Sequence, residues 1–125
     1  MTLSPTWLTS HRGVAAEPSP HRGEVWLVSF DPSIGGEAQK TRPAVVVSND
    51  TANALLNRVQ VVPISSQVGR LYPAEALITL NRASRKAMAD QIATVSKQRL
   101  LRRLGTLGAT DMAATGQAIR LQYGL

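Results

Sequence analysis

The chain has 125 residues, 43% of them apolar, and a formal net charge of +6, with eleven arginines among its fourteen basic residues. That length holds one domain with a modest core, and only 4% aromatic content leaves that core to Val, Leu, Ile and Ala and argues against a base-stacking platform. The absence of cysteine removes disulfides, thiolate nucleophiles and Cys-based zinc sites, and two histidines near the N-terminus are too few for a His-rich metal centre.

The surplus of arginine favours a polyanionic partner, most simply nucleic acid or an acidic protein. No run approaches the ~18 apolar residues that span a membrane. The start lacks a basic segment followed by an apolar one, so no secretory signal is read and the expected compartment is the cytoplasm.

Residues 1–20 hold three prolines without sustained periodicity and are expected to be a flexible extension, with the domain running from 21 to 125. Glu24 to Phe30 is β-branched and aromatic and predicts a first strand. Turn chemistry at Asp31-Pro32-Ser33 and the pair Gly35-Gly36 predict a mobile loop reaching about Thr41. Ala44 to Ser48 predicts a second strand, and its unbroken Ala-Val-Val-Val run implies burial on both faces.

Asp50-Thr51 is expected to cap a short helix through Leu56. Further strands are expected at Val59–Ile64, Ala76–Leu80 and Ala89–Val95. Ser96 then caps a basic helical turn over 97–103, and Leu104 to Leu107 returns to the sheet. Thr110 is expected to cap a final helix from Asp111 to about Tyr123, with Met112, Ala113, Ile119 and Leu121 on its apolar side. Many short strands with few helices predict a small, strongly bent antiparallel barrel.

The chemical inventory is narrow. There is no HExxH, GxSxG or Walker loop, and the carboxylates are scattered singly. Arginine, hydroxyls and amides can stabilise charge that builds on a pentavalent phosphorus. They do not readily activate water, so cleavage of RNA by its own 2′-hydroxyl is the nuclease chemistry that fits. Arg42 stands out, because Pro43 fixes the start of a strand and pushes the residue before it into an extended conformation. A five-donor fork at such a loop–strand junction suits a phosphate. Seven basic residues between Asn81 and Arg103 against the single acid Asp90 add a candidate surface for RNA phosphates or an acidic partner.

The segments HRGEVWLVSFDP (21–32), GGEAQKTRPAVVVSND (35–50), VVPISS (61–66), YPAE (72–75), ADQIATVSKQRL (89–100) and LGTL (104–107) follow the order and spacing of the MazF/PemK toxin family, which the chain resembles over residues 21–125. The resemblance implies an SH3-like barrel with a C-terminal helix that works as a homodimer. It implies a metal-independent, sequence-specific endoribonuclease with no cofactor, silenced by a cognate antitoxin and reaching operator DNA only through it.

Carried over by position, Arg42 would hold the scissile phosphate. Ser65 falls where the family usually has threonine, which keeps the hydroxyl and loses the β-branch that restrains its rotamer. Glu37 would orient Arg42 or help proton transfer. Gly35, Gly36, Lys40, Thr41, Ser66, Gln91, Arg82, Arg85 and Lys86 are the candidate RNA contacts, and Asp90 beside Gln91 is expected to hold a turn. The family's Tyr-Pro-aromatic-Glu reads Tyr72-Pro73-Ala74-Glu75 here, so target sequence does not transfer. Two rival readings are a gyrase-binding protein of the CcdB type, which shares the barrel and cuts nothing, and a non-enzymatic nucleic-acid-binding co-repressor.

Overall fold

Valine run and proline punctuation together decide how the sheet is built. In this computed structural model, which describes residues 19–30 and 40–125, β1 (Glu24–Ser29), β2 (Thr41–Val46) and β3 (Arg58–Ser65) pair antiparallel side by side. Ala44 and Val46 face one way and Val45 and Val47 the other, and all four are buried, as the unbroken run implied. Pro43 pairs only with Leu27 of β1, since β3 joins β2 first at Ala44, so its missing N–H costs that ladder nothing. Pro63 lies where β3 leaves one neighbour, β6 (Ala93–Ser96, paired through Val61), for another, β5 (Ala83–Met88, paired from Ile64). A residue without a donor suits that changeover.

The remaining elements are α1 (Asp50–Leu55), β4 (Glu75–Leu80), β7 (Leu100–Thr106) and α2 (Ala109–Tyr123), with 3₁₀ turns at Ala89–Gln91 and Lys97–Arg99. The described strands form one seven-stranded sheet in the order β4-β5-β3-β2-β1-β7, with β6 on the second edge of β3. Curling brings the two ends of this path together. Asn81 Nδ2 donates to Leu104 O at 3.2 Å, and a side chain in place of Gly105 would press on Asn81 Oδ1 at 3.3 Å. The expected bent antiparallel barrel is therefore present, closed at this seam by side-chain contact.

Both faces of the sheet are apolar. One core collects Val25, Val45, Val62, Ile64, Ile78 and Ala87, and α2 covers it with Ala118, Met112 and Ile119. The other collects Val28, Ala44, Val46, Val59, Val61 and Val95. Pro20 is buried, so packing includes one residue ahead of the expected boundary at His21, whose own side chain is exposed near Asp50.

Several expectations need correction. β2 starts at Thr41 rather than Ala44, because β1 continues to pair with it as far as Ser29↔Thr41. A strand at 83–88 was not expected. Its Ser-Arg-Lys composition hides it, and the tight turn before it uses Asn81-Arg82 at φ 50° and 67° rather than the usual Asn-Gly. The strand expected over 89–95 is a 3₁₀ turn followed by β6. The helical turn expected over 97–103 stops at Arg99, and the basic residues after it lie on β7.

Ser96 does cap that turn, accepting from Gln98 N at 3.2 Å. Helix α1 is capped not by Asp50 but by Asn49, whose Oδ1 accepts from Ala52 N at 2.8 Å, while Asp50 Oδ1 accepts from Arg22 N at 2.7 Å. Helix α2 is preceded by Gly108 and not by Thr110; its buried residues are Thr115 and Ala118, and Leu121 and Ala113 are exposed.

Candidate active site

Sheet register assembles the site. Arg42 pairs with Val28 of β1, and Ser65 pairs with Lys86, which in turn pairs with Leu77 of β4. Ladder pairing of β2 with β3 ends at Ala44↔Pro63; Arg42, two residues before Ala44, and Ser65, two residues after Pro63, therefore lie on the same face of the sheet. Residues directly opposite share a face. Two rows of paired residues thus share that face: Val28–Arg42 on β1 and β2, and Ser65–Lys86–Leu77 on β3, β5 and β4. The second leads to the β4–β5 hairpin.

Arg42 is exposed on β2, two residues before the first pair with β3. Among the described residues no hydrogen bond or ion pair holds its guanidinium. Ser65 closes β3 and is half-buried, and its Oγ accepts from Gln67 N at 3.0 Å, which leaves its proton available to a phosphate oxygen. Ser66 is exposed immediately after it. Thr41 is exposed but turns to the opposite face, paired with Ser29, and Lys40 accepts from Phe30 N through its carbonyl.

Gln91 is exposed in the 3₁₀ turn after β5, with Nε2 3.6 Å from Met88 Sδ. Met88 lies two residues along β5 from Lys86 on the same face, which brings Gln91 to the side of the sheet that carries Arg42 and Ser65. Asp90 lines a cleft of about 380 Å³ with Tyr72, Glu75 and Leu121. Glu37, Gly35 and Gly36 lie outside the described residues.

The basic cluster does not form a common surface. Lys86 is buried, with Nζ 2.9 Å from Glu75 Oε1 and 3.0 Å from Arg70 O, and so is not a free cation on a phosphate track. Arg85 is half-buried on the opposite face and bonds Ser84 O. Arg82 sits exposed in the hairpin turn at the far end of β5. Arg99 donates to Ser29 O, and Arg103 pairs with Glu24 at 3.3 Å. Sequence reading missed the Glu75–Lys86 pair, although the Tyr-Pro-Ala-Glu signal was in view. Burial of Glu75 pushes its carboxyl pKa up, but the Tyr72 amide and the Lys86 ammonium outweigh this and hold it below its ordinary value.

A larger open cleft of about 660 Å³ lies between α2 and the sheet, lined by Arg22, Val47, Gln60, Ile92, Met112 and Ile119 among others. None of the candidate site residues lines it. Among the described residues no group of three or more His, Asp or Glu could hold a metal ion.

A curled antiparallel sheet covered by a C-terminal helix, with an exposed arginine on one strand and a hydroxyl at the end of another, defines a small β-barrel protein. The chain belongs to the family described as PemK-like, MazF-like toxins of type II toxin–antitoxin systems, whose pattern matches residues 21–123. It is 40% identical over 113 residues to Endoribonuclease MazF9 of Mycobacterium tuberculosis, which covers 83% of this chain and 96% of that protein. Its fold is similar to a MazE–MazF crystal structure from Deinococcus radiodurans, with a TM-score of 0.75 at 23% identity over 87% of this chain and 99% of that one. A third form of the same complex is 27% identical, with a TM-score of 0.69 over 86% and 98% of the two chains.

Proposed function

We propose that this protein is the endoribonuclease toxin of a type II toxin–antitoxin pair, cutting single-stranded RNA at a short sequence without a metal. Family membership and the match to MazF9 carry the class of activity and favour it over the gyrase-binding and co-repressor readings. The exposed Arg42 guanidinium and the strand-end Ser65 hydroxyl, on one face of the sheet, support the mechanism.

In this reading the scissile phosphate lies between the Arg42 guanidinium and the Ser65 hydroxyl. The neighbouring 2′-hydroxyl of the RNA gives up its proton and attacks phosphorus, the bond from phosphorus to the 5′-oxygen breaks, and that oxygen takes up a proton, so the proton count is unchanged. The products are a 2′,3′-cyclic phosphate and a 5′-hydroxyl. Arginine is too weak an acid to shuttle protons freely, so Arg42 acts by holding the negative charge of the pentavalent phosphorus. Glu37 is assigned, by its place in the sequence alone, to orient Arg42. Gln91, Ser66, Lys40, Thr41 and the Gly35–Gly36 segment are assigned to RNA contacts, Gln91 with the amide edge to read a base.

Two copies would pair through strand residues and α2, where Leu121 and Tyr123, with Leu125 just beyond the helix, are exposed, and RNA would lie in the groove between them. A cognate antitoxin blocks that groove. The expected compartment is the cytoplasm, where RNA is met; among the described residues no helix is long and apolar enough to cross a membrane.

Incubation of the purified protein with RNA in EDTA, followed by sequencing of the new ends, tests the proposal. Cleavage at a recurrent short sequence with 2′,3′-cyclic ends is expected, and its loss in Arg42→Ala. Intact RNA, or equal cleavage by that variant, overturns it.

A further inference from the structure

A charge taken out of water loses hydration that its partner must replace, so a buried ion pair is seldom the cheapest way to fill space. Next to Ser65 the chain has one. The side chains of Lys86 and Glu75 are 8% and 6% exposed, with Nζ 2.9 Å from Oε1. The same Glu75 oxygen accepts from Tyr72 N at 2.9 Å, and Tyr72 O accepts from Glu75 N at 3.0 Å. Lys86 Nζ also donates to Arg70 O at 3.0 Å and lies 5.6 Å from the centre of the Tyr72 ring. Arg70 lies over the same ring at 5.8 Å and donates to its hydroxyl.

Lys86 thus grips two parts of the chain at once. Its backbone pairs with Ser65 at the end of β3, and its side chain ties down residues 70–75, where the chain returns to the sheet. The stretch between is fastened at its start by the bond from Gln67 N to Ser65 Oγ. Packing does not hold it at Gly69, where a side chain would meet nothing within 4 Å. Its far end is held at Lys86.

We infer that the Lys86–Glu75 pair is a positioning device for the Ser65 hydroxyl, clamping the 66–70 loop so that the hydroxyl stays aimed at the phosphate. Neither residue touches RNA. The inference rests on the reading of Arg42 and Ser65 as the phosphate site, and it gives the pair a task that packing alone does not require. Apolar residues of similar volume can replace a buried pair without loss of stability, but they cannot hold the carbonyl of Arg70 and the amide of Tyr72.

The test compares wild type with the double variant Lys86→Met/Glu75→Leu. It measures kcat and KM on an RNA oligonucleotide in EDTA, thermal unfolding, and amide exchange at Gln67. A folded double variant is expected to lose about 10- to 100-fold in kcat, the scale of a displaced catalytic group. KM should change by less than about threefold, because the lost interaction acts in the transition state. Exchange at Gln67 should rise while Val45 in the core stays protected.

Wild-type kcat together with wild-type Gln67 protection overturns the inference. Should the double variant fail to fold, Glu75→Asp decides, since it keeps the charge and withdraws the carboxylate by one methylene from Lys86 Nζ and Tyr72 N. A drop in kcat with faster Gln67 exchange supports the clamp, and unchanged values overturn it. Arg42→Ala run in parallel separates the two failures. RNA left intact by wild type overturns both readings, whereas Arg42-dependent cleavage with an unaffected clamp variant overturns only this one.

Discussion

Arg42 and Lys86 lie on the same face of the sheet, Lys86 paired with Ser65 and Arg42 two residues before β2 meets β3, and they are held in opposite ways. Arg42 is exposed on β2 before that strand meets β3, and among the described residues no hydrogen bond or ion pair holds its guanidinium. Lys86 is buried under the 70–75 loop, with a carboxylate, a carbonyl and an aromatic ring around its ammonium. A cation kept for an incoming phosphate has to be free in the resting protein; one used to hold the frame has to be satisfied in advance. Formal charge does not distinguish the two, and burial does.

The difference predicts where each loss falls. Arg42→Ala should lower kcat by about 10²–10³-fold, the scale for removing one transition-state donor, while thermal unfolding stays unchanged because the residue is exposed. Lys86→Met alone should instead lower folding stability by about 3 kcal/mol, because it leaves the Glu75 carboxylate buried without its partner; urea unfolding reads this directly. A variant pattern with these effects exchanged would break the comparison.

The same pair sets a pH dependence. Burial raises the Glu75 pKa, but the Tyr72 amide and Lys86 lower it further, so the folded value lies below the ordinary 4.5. A carboxyl with a depressed folded pKa contributes stability that is present above the ordinary value and is lost as pH falls through the folded one. Unfolding midpoints should therefore drop as the pH is lowered from about 4.5. Glu75→Gln should flatten that part of the curve. A curve of unchanged shape in Glu75→Gln would show that the pair is not the group titrating.

Ser65 shares something with each cation. Its hydroxyl accepts from Gln67 N and has a proton to offer, so Ser65→Ala should cost roughly 10- to 100-fold in kcat, the value of one hydrogen bond to a charged group. Ser65→Thr restores the β-branch, narrows χ1 and should raise kcat by up to about threefold. If the threonine variant is slower, the loop bond to Gln67 needs the freer serine rotamer.

Much of this frame was legible in the sequence, and the reasons differ from place to place. The Ala44–Val47 run announced a strand buried on both faces because every position was apolar, and Arg42-Pro43 marked its start because proline admits few alternatives. The β5 strand was not legible. Its Ala-Ser-Arg-Lys opening has the composition of a surface loop, and what makes Lys86 a buried residue is a carboxylate eleven positions away. Spacing along the chain cannot reveal that two residues will meet across a hairpin whose turn has not been recognised. The cap of α1 failed for a smaller reason. Asn49 and Asp50 are both good caps, and only tertiary contact with Arg22 takes Asp50 away.

The turn that hid β5 offers the mildest and cleanest probe. Asn81 and Arg82 both have positive φ in the two-residue connection Leu80–Ala83. Asparagine tolerates that region, whereas arginine pays a steric cost there of roughly 1–2 kcal/mol. Glycine at 82 would relieve it, offset in part by its greater freedom in the unfolded chain, for a net gain of about 0.5–1 kcal/mol. Arg82 is also the exposed cation of the hairpin, so Arg82→Gly separates a fold role from a binding role in one protein. If Arg82 lies on the RNA path, the salt dependence of binding should become shallower by about 0.7 in log–log slope, the share of one phosphate contact on a single strand. If its position in the turn is incidental to binding, stability rises and the slope does not move.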